Sequence, residues 1–326
     1  MIRKKILITG ESGFIGSHLI NLFVDKYSNY EIHGLDVLTY ASNKNYTQHL
    51  EKKTNYHFHK IDIYNRKAIM QLFHEYQFTD VIHLAAESHV DNSIENPLLF
   101  INTNIVGTVN LLDAFRLVSS GRFHHISTDE VYGDLNNHDP VFTEKSPYKP
   151  SSPYSASKAS SDHIVRSYHR TYDINMVITN CSNNYGPHQH KEKFIPTVIS
   201  SIVHNTKIPI YGNGENIRDW LYVQDHVQAL DLVFHQGNSG ETYNIGANNE
   251  VSNINLVYLI CDIFLEKKMH PDPRKLISFV NDRLGHDKRY AISSNKLQSQ
   301  LKWKPLVDFK MGLVMTVKWY LNQIKS

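Results

Sequence analysis

Three glycines between an apolar run and a helical pattern constrain the fold of this chain more than any other feature. The run Lys5–Thr9 predicts a buried strand, and apolar residues recur at helical spacing after Gly13. Gly10, Gly13 and Gly16 occupy the turn between the two. Glycine lets the backbone approach a phosphate closely, and the helix that follows offers unpaired N–H groups. The spacing therefore indicates a dinucleotide-binding turn.

Strands and helices alternate over the first 180 or so residues. Further strand-like runs are predicted at 31–36, 56–59, 81–85, 123–127 and 176–179, and helical patterns at 68–76, 97–118 and 157–171. Such alternation is typical of a doubly wound parallel sheet. Beyond residue 181 the alternation is lost. We therefore predict an α/β protein with a Rossmann-type NAD-binding domain over 1–181 and a smaller C-terminal α/β domain for a sugar nucleotide over 182–326. A strand near 241–246 could return to the first sheet.

Composition excludes several classes of function. The 326 residues include 34 Lys+Arg and 32 Asp+Glu, so no basic excess favours nucleic acid. Two cysteines, Cys181 and Cys261, are too few for a disulfide scaffold. The N-terminal apolar run is shorter than a signal peptide requires, and no stretch approaches about 18 uncharged apolar residues. We expect a soluble cytoplasmic protein that binds neither nucleic acid nor membrane.

The residues after the second and third strands bear on the cofactor. Asp36 ends the second strand, 20 residues after Gly16, where an acid accepts hydrogen bonds from the adenosine ribose. No arginine follows before Arg66, and Lys44 is the only cation nearby. This favours NAD over NADP. Asp62, after the third strand, is placed either to meet the adenine or to cap a helix.

A tyrosine, a lysine and two acids form the predicted catalytic group. Tyr154 and Lys158 lie at i and i+4 on a predicted helix. A tyrosine with a pKa near 10 needs a neighbouring cation to act as a base at neutral pH. Thr128, Asp129 and Glu130 follow a predicted core strand, at the sheet edge that lines the ligand crevice. Two acids there indicate two extra proton transfers, one removing a proton and one protonating a leaving group. The alternative is a solvent-exposed Asp-Glu turn.

Over nearly its whole length the sequence resembles the dTDP-glucose 4,6-dehydratases of the extended short-chain dehydrogenase/reductase superfamily. The motifs that carry the resemblance are TGESGFIGS at 9–17, HLAAESHVDNSI at 83–94, HHISTDEVYGD at 124–134, PYSASKASSDH at 153–163, TNCSNNYGP at 179–187, IRDWLYVQDH at 217–226, ETYNIG at 241–246 and DRLGHDKRY at 282–290. Their order along the chain is more specific than any single motif.

The resemblance implies a mechanism and a set of site residues. Tyr154 takes the proton from the 4-hydroxyl of the sugar while NAD accepts a hydride from carbon 4. Glu130 then removes the proton from carbon 5, Asp129 protonates the departing 6-hydroxyl, and the hydride returns to carbon 6. The implied cofactor residues are Gly10, Gly13, Phe14, Ile15, Gly16, Asp36, Val37, Leu38, Thr39, Asp62, Ile63, Leu84, Ala85, Ala86, Ser88, Thr103, Tyr154, Lys158 and Asn184. The implied substrate residues are Ser88, Thr128, Asn183, Lys193, Phe194, Pro209, Ile210, Tyr211, Arg218, Asn253, Arg283 and His286, with the two arginines at the pyrophosphate and 209–211 near the base.

Departures from the family pattern and rival functions remain. Phe194 stands where leucine is usual, Leu284 replaces a proline, and the glycine turn carries Glu11-Ser12 instead of a small pair. A UDP-glucose 4,6-dehydratase, a sugar-nucleotide 4-epimerase or decarboxylase, and a non-catalytic NAD-sensing regulator are the alternatives. Epimerases carry small hydroxyl or alanine residues at the positions of Asp129 and Glu130.

Two histidine pairs bear on metal binding, and two long helices bear on assembly. The pairs His57-x-His59 and His188-x-His190 lack third and fourth ligands at zinc spacing, so we predict no metal. Cys181 is expected in the core. By resemblance, the helices over 97–118 and 157–171 pair across a two-fold axis as a four-helix bundle, which predicts a homodimer.

Overall fold

The computed structural model describes residues 4–282 and 284–325, and its centre is a seven-stranded parallel sheet. The strands are β1 (Lys5–Thr9), β2 (Glu31–Asp36), β3 (Tyr56–Lys60), β4 (Asp80–His83), β5 (Phe123–Thr128), β6 (Met176–Cys181) and β10 (Thr242–Ile245). Their order across the sheet is β10-β6-β5-β4-β1-β2-β3. The prediction of a doubly wound parallel sheet is confirmed.

Helices cover both faces of this sheet because its strands are apolar on both sides. One face packs against α1 (Phe14–Lys26) and α8 (Val223–Gln236), and the other against α2 (Arg66–Tyr76), α5 (Gly107–Val118) and α6 (Pro153–Tyr172). In β1, Ile6 and Ile8 belong to the first core and Leu7 to the second. The alternation of side chains along a single strand thus divides the interior into two layers.

The chain beyond residue 181 forms smaller sheets of its own, and one of its strands joins the seven-stranded sheet. Strand β10 pairs with β6 in parallel, which is the return that the sequence left open. The remaining elements are β7 (Asn183–Tyr185), α7 (Phe194–Val203), β8 (Ile208–Tyr211), β9 (Ile217–Tyr222), β11 (Glu250–Ser252), α9 (Asn253–Glu266), β12 (Ile277–Val280), β13 (Arg289–Tyr290), α10 (Asn295–Leu301) and α11 (Phe309–Lys325). Strand β9 pairs with β7, β11 and β13, while β8 pairs with β12. A division at residue 181 therefore does not follow the sheets, and the two-domain description stays a prediction.

Several predicted boundaries shift for local reasons. The helix expected over 157–171 begins at Pro153, because Ser152 and Ser155 form a reciprocal capping box and proline suits the first helical position. The strand expected over 81–85 ends at His83, after which the N–H of Ala85 turns to bond the Thr9 hydroxyl at 3.1 Å. Both changes lie at the sheet edge where the glycine turn is found.

The helical stretch Pro97–Val118 is continuous but not uniform. It includes α4 (Pro97–Phe100), a π-helical segment (Ile101–Val106) and α5, and it follows the short α3 (Val90–Glu95). By length and mean hydropathy the stretch could cross a membrane, yet half of it is buried against the rest of the fold. Packing against α2 and α6 accounts for its buried apolar residues, among them Phe100, Leu111 and Phe115.

Candidate active site

A cavity of about 410 Å³ opens at the carboxyl ends of the central strands. The edge where parallel strands end is the usual ligand crevice of such sheets. Most of the predicted site residues line it, namely Gly10, Gly13, Phe14, Ile15, Gly16, Asp36, Val37, Thr39, Asp62, Ile63, Leu84, Ala85, Ala86, Ser88, Thr103, Thr128, Asp129, Glu130, Tyr154, Lys158, Asn183, Asn184 and Lys193. Residues far apart in sequence are thus brought to one place.

The glycine turn has the shape that a pyrophosphate needs. Gly10 has a φ of +74°, and a Cβ atom there would lie 2.8 Å from the backbone nitrogen of Ala85. At Gly16 a Cβ atom would lie only 1.9 Å from the carbonyl oxygen of Gly10. Helix α1 begins directly after Gly13, whose position provides no side-chain cap. The first N–H groups of α1 are therefore available to an anion, so the turn fits a dinucleotide.

Asp36 is held in one orientation at the end of β2. Its carboxylate accepts hydrogen bonds from the N–H of Ser12 at 3.0 Å, the N–H of Leu38 at 2.7 Å and the hydroxyl of Ser42 at 2.8 Å. Leu38 is the one predicted cofactor residue that does not line the cavity, and it contributes only this backbone bond. Asp62 accepts from the N–H of Tyr64 at 2.8 Å while still lining the cavity.

Glu11 was noted in the sequence only as a departure, and the structure gives it a definite place. Its fully buried carboxylate accepts from the hydroxyls of Ser12 and Tyr56, both at 2.7 Å. The ammonium of Lys44 lies 3.3 Å from the same carboxylate and above the ring of Phe58. Lys44, the cation that the sequence places near Asp36, is therefore already paired with Glu11. This pairing supports the predicted preference for NAD, because a 2′-phosphate would need a cation there.

Tyr154 and Lys158 lie one turn apart on α6 and face the end of β5. The Lys158 ammonium donates to the carbonyl oxygen of Ile126 at 2.8 Å. Burial, followed by the charge of Glu130, raises the pKa of Tyr154 well above its ordinary value, and a bond to Thr128 opposes this rise. Burial also lowers the pKa of Lys158. The protein alone thus keeps Tyr154 protonated, and added positive charge in the cavity favours its ionisation.

Asp129 has the properties of a proton donor. It is buried, and its Oδ2 has no hydrogen-bond partner among the described residues. Burial, and then the charge of neighbouring Glu130, raises the pKa of Asp129 well above its ordinary value. A carboxyl group with a raised pKa keeps its proton to higher pH and can donate it to a leaving group. The solvent-exposed turn considered from the sequence is therefore wrong for Asp129.

A buried network of polar side chains lies behind Lys158, and no motif in the sequence indicates it. Asp162, one turn further along α6, lies 3.2 Å from Nε2 of His125 on β5 and accepts from the hydroxyl of Tyr148 at 2.8 Å. Arg166 donates to the same hydroxyl at 2.8 Å. Burial alone would raise the pKa of Asp162, but the neighbouring His125 and the charges of Lys158 and Arg166 lower it overall. Asp162 is therefore an anion beside Lys158.

Asn104 is a second residue that the sequence did not reveal. It lies in the π-helical segment, accepts from the N–H of Glu87 at 2.9 Å and donates to the hydroxyl of Ser157 at 2.8 Å. It therefore joins the loop after β4 to the helix that carries Tyr154. π-helical turns are frequent at functional sites, but no spacing in the sequence marks one.

The other cysteine and histidine predictions can also be placed. Burial raises the pKa of Cys181 to about 12, so the thiol is not a nucleophile. His188 stacks between His18 and Tyr46, and His190 lies 3.4 Å from Glu192. Among the described residues, neither of these two histidines belongs to a group of three possible metal ligands.

Comparison with known proteins decides the family. Residues 7–316 match the family model described as GDP-mannose 4,6 dehydratase. A dTDP-glucose 4,6-dehydratase of Haemophilus influenzae is 49% identical over 336 residues, covering 98% of this chain and 99% of the relative. The chain belongs to the dTDP-glucose 4,6-dehydratase family. The resemblance drawn from the sequence is thereby confirmed.

Solved structures agree with this dehydratase family and also show what the fold does not decide. The dTDP-glucose 4,6-dehydratase of Streptomyces venezuelae, with NAD and TYD bound, has a TM-score of 0.92 at 38% identity and covers 98% of both chains. A UDP-glucose 4-epimerase of Thermotoga maritima has a TM-score of 0.88 at 26% identity, covering 98% of this chain and 99% of its own. Since enzymes that catalyse two different reactions share this fold, the side chains of the site must determine which reaction occurs.

Only some of the residues that the dehydratase resemblance places at the substrate line the cavity. The ammonium of Lys193 donates to the carbonyl oxygen of Ser88 at 3.0 Å, across the cavity opening. Tyr211 and His286 have ring centroids 6.1 Å apart, and Nδ1 of His286 lies 2.6 Å from Asp282. The residues that do not line the cavity are Phe194, Pro209, Ile210, Tyr211, Arg218, Asn253 and His286. Arg283 lies outside the described residues.

Two of these residues have largely buried side chains. The side chain of Ile210 packs in the core formed with α7 and α9, whereas Pro209 and Tyr211 on either side of it are exposed, so the placement of 209–211 near the base stays a prediction. Arg218 is almost fully buried, donates to the carbonyl oxygens of Ile217 and Asp287, and lies over the ring of Tyr290. The contact of Arg218 with the pyrophosphate stays a prediction.

Proposed function

We propose that the chain catalyses the NAD-dependent 4,6-dehydration of dTDP-glucose to the 4-keto-6-deoxy sugar nucleotide. One observation carries the proposal: Asp129 and Glu130 lie beside Tyr154 at the end of β5, in the cavity that the glycine turn opens. An alcohol oxidation alone needs one base. Two further acids at the same place suit the removal of water, which needs a base and an acid.

The cofactor would be held by residues that fit it without rearrangement. The glycine turn and the N-terminus of α1 would bind the pyrophosphate, Asp36 the adenosine ribose, and Tyr154 with Lys158 the nicotinamide ribose. NAD, when bound, supplies the acceptor and later the donor of a hydride. The pairing of Lys44 with Glu11 supports the absence of a site for the 2′-phosphate of NADP.

Each proton transfer has a group of suitable charge. Tyr154 takes the proton of the 4-hydroxyl, with Lys158 stabilising the tyrosinate. The 4-keto group then acidifies the hydrogen on carbon 5, which Glu130 removes. Asp129, kept protonated by burial and by the charge of Glu130, donates its proton to the leaving 6-hydroxyl, so that water departs. Once carbon 6 has been reduced, Glu130 returns its proton to carbon 5. Thr128, Ser88 and Asn183 line the cavity where the sugar hydroxyls would lie.

Steady-state assays test the reaction and the nucleotide together. We expect dTDP-glucose to give a 4-keto-6-deoxy product, seen by its absorbance in alkali, without added NAD. UDP-glucose should react less efficiently, because the thymine methyl group contributes about 1–3 kcal/mol in a fitted pocket. No product from either nucleotide would overturn the dehydratase proposal. A higher kcat/KM for UDP-glucose would overturn only the choice of base.

Asp162 is expected to act on Lys158 as a positioning residue. Its anion raises the pKa of Lys158 against the effect of burial, so Asp162→Asn should lower that pKa. The lysine then loses its charge at lower pH, and the alkaline limb of kcat moves to lower pH. The groups facing Asp162 are Lys158, His125, Tyr148 and Arg166.

The matched control is Asp231→Asn. Asp231 is an equally buried carboxylate on α8, and it pairs with Lys26 at 2.5 Å, away from the cavity. This substitution should lower stability without moving the pH profile. Identical pH profiles for wild type and Asp162→Asn would contradict the role of Asp162.

We also infer a cytoplasmic homodimer assembled through the helical stretches Pro97–Val118 and Pro153–Tyr172. Leu98 and Leu117 are 66% and 57% exposed, and Ile101 and Tyr172 are exposed beside them. Burying such apolar surface against a second copy is favourable by about 25 cal/mol per Å². Sedimentation equilibrium should give a dimer for the wild type and a monomer for Leu98→Glu/Leu117→Glu. A monomeric wild type, or a dimeric double variant, would contradict this arrangement.

A further inference from the structure

Strands β2 and β3 place four polar side chains on one face at an edge of the central sheet. Glu31 and His33 are two residues apart on β2, so their side chains point the same way. The parallel register sets His57 beside His33, and His59 follows two residues later on β3. The side chain of His57, on the edge strand β3, is 47% exposed, so this face reaches solvent at His57. None of the four residues lines the catalytic cavity.

Three donor atoms converge on this face. Nε2 of His33 lies 3.1 Å from Oε1 of Glu31, and Nε2 of His57 lies 4.0 Å from the same oxygen. All three donors lie within 4.8 Å of one another. Bonds of about 2.0–2.2 Å in a tetrahedral zinc site separate the ligand atoms by about 3.3–3.6 Å. The side chains of Glu31 and His57 are 19% and 47% exposed, so both have room to rotate towards that geometry.

The surroundings of His33 favour coordination. Its Nδ1 lies 2.9 Å from Nε2 of His59, and the rings of Tyr76 and Phe78 pack edge-on against it. Nε2 of His33 and Oε1 of Glu31 lie at a hydrogen-bond distance of 3.1 Å, so a proton on Nε2 joins them in the metal-free chain. A metal ion would take the place of that proton, and the ring proton would then lie on Nδ1, facing His59. Metal-bound histidines commonly have such a partner on their second ring nitrogen.

We propose that Glu31, His33 and His57 form a binding site for a divalent transition-metal ion, with Zn²⁺ the best fit. Two imidazoles and one carboxylate suit Zn²⁺ and exclude preference for Mg²⁺ or Ca²⁺, which take oxygen ligands. Solvent at the open side of His57 completes the coordination. The bound ion joins β2 to the edge strand β3 and so stabilises the folded chain by linkage. The expectation of no metal rested on ligands within one stretch, whereas here two strands supply them.

Calorimetric titration of the NAD-bound protein with Zn²⁺ alone tests the site. We expect one saturable component of unit stoichiometry, weakened at least about tenfold in His57→Ala and in Glu31→Gln. His49→Ala removes an exposed histidine just before β3 and should bind Zn²⁺ like the wild type. Mg²⁺ at the same concentrations should give no component.

A second readout separates binding from a change of fold. Zn²⁺ should raise the Tm of the wild type and of His49→Ala, but not that of His57→Ala, while dTDP-glucose turnover by His57→Ala stays at the wild-type rate. The absence of a saturable component in the wild type would overturn the assignment. So would a component that survives both His57→Ala and Glu31→Gln, since the ion would then bind elsewhere.

Discussion

Glu130→Gln should stop the reaction after the oxidation of carbon 4 and before the loss of water. Gln keeps the size of the side chain but cannot accept the proton of carbon 5, so steady-state turnover should fall by roughly 10²–10⁴-fold. Tyr154 and Lys158 remain in place, so oxidation still proceeds. Rapid mixing with dTDP-glucose should therefore show the absorbance of reduced nicotinamide, rising and persisting on the protein.

The control for this substitution is Glu266→Gln, the same chemical change at an exposed position on α9 that pairs with Lys310. It should turn over like the wild type and accumulate no reduced cofactor. If Glu130→Gln dehydrates its substrate at the wild-type rate, another group removes the proton from carbon 5. If it accumulates no reduced cofactor, the residue acts earlier than we propose.

Tyr154→Phe should fail one step earlier. Without the phenol oxygen no group takes the proton of the 4-hydroxyl, and turnover should fall by about 10²–10⁴-fold with no reduced nicotinamide formed. The phenyl ring fills the same space against Phe100, so the fold and the bound cofactor should be retained. Single-turnover absorbance with dTDP-glucose distinguishes this block from that of Glu130→Gln.

Tyr258→Phe provides the comparison for Tyr154→Phe. Tyr258 lies partly exposed on α9, with Arg274 over its ring, and loss of its hydroxyl should leave turnover unchanged. Appreciable oxidation of carbon 4 by Tyr154→Phe would remove the tyrosine from the mechanism. Comparison of Tyr154→Phe with Glu130→Gln then tests whether the proton transfers occur in the proposed order.

Local signals in the sequence located the parts of the site that neighbouring residues define. The glycine turn needs Gly10 and Gly16 for reasons within one loop, and Tyr154 with Lys158 follows from helical spacing. Asp162 and His125 were missed as partners because α6 and β5 meet only in the folded chain. The π-helical turn at Asn104 likewise has no mark in the sequence.

The structure of the chain beyond residue 181 was harder to predict for a related reason. Strand β10 leaves the C-terminal part of the chain to pair with β6, so sheet membership does not follow sequence position. The sequence does not show that strand β8 alternates, with the side chain of Ile210 in the core and those of Pro209 and Tyr211 exposed. Arg218 forms contacts to backbone carbonyls of a segment about 70 residues away, which no local pattern reveals.

In the proposed reaction, the hydrogen removed from carbon 4 returns to carbon 6 of the same sugar. Turnover of dTDP-glucose carrying deuterium at carbon 4, in ordinary water, follows this hydrogen. We expect NMR of the 4-keto-6-deoxy product to show deuterium in the methyl group at carbon 6. Deuterium returned to carbon 4, as in an epimerase, or lost to solvent would rule out the proposed hydride return.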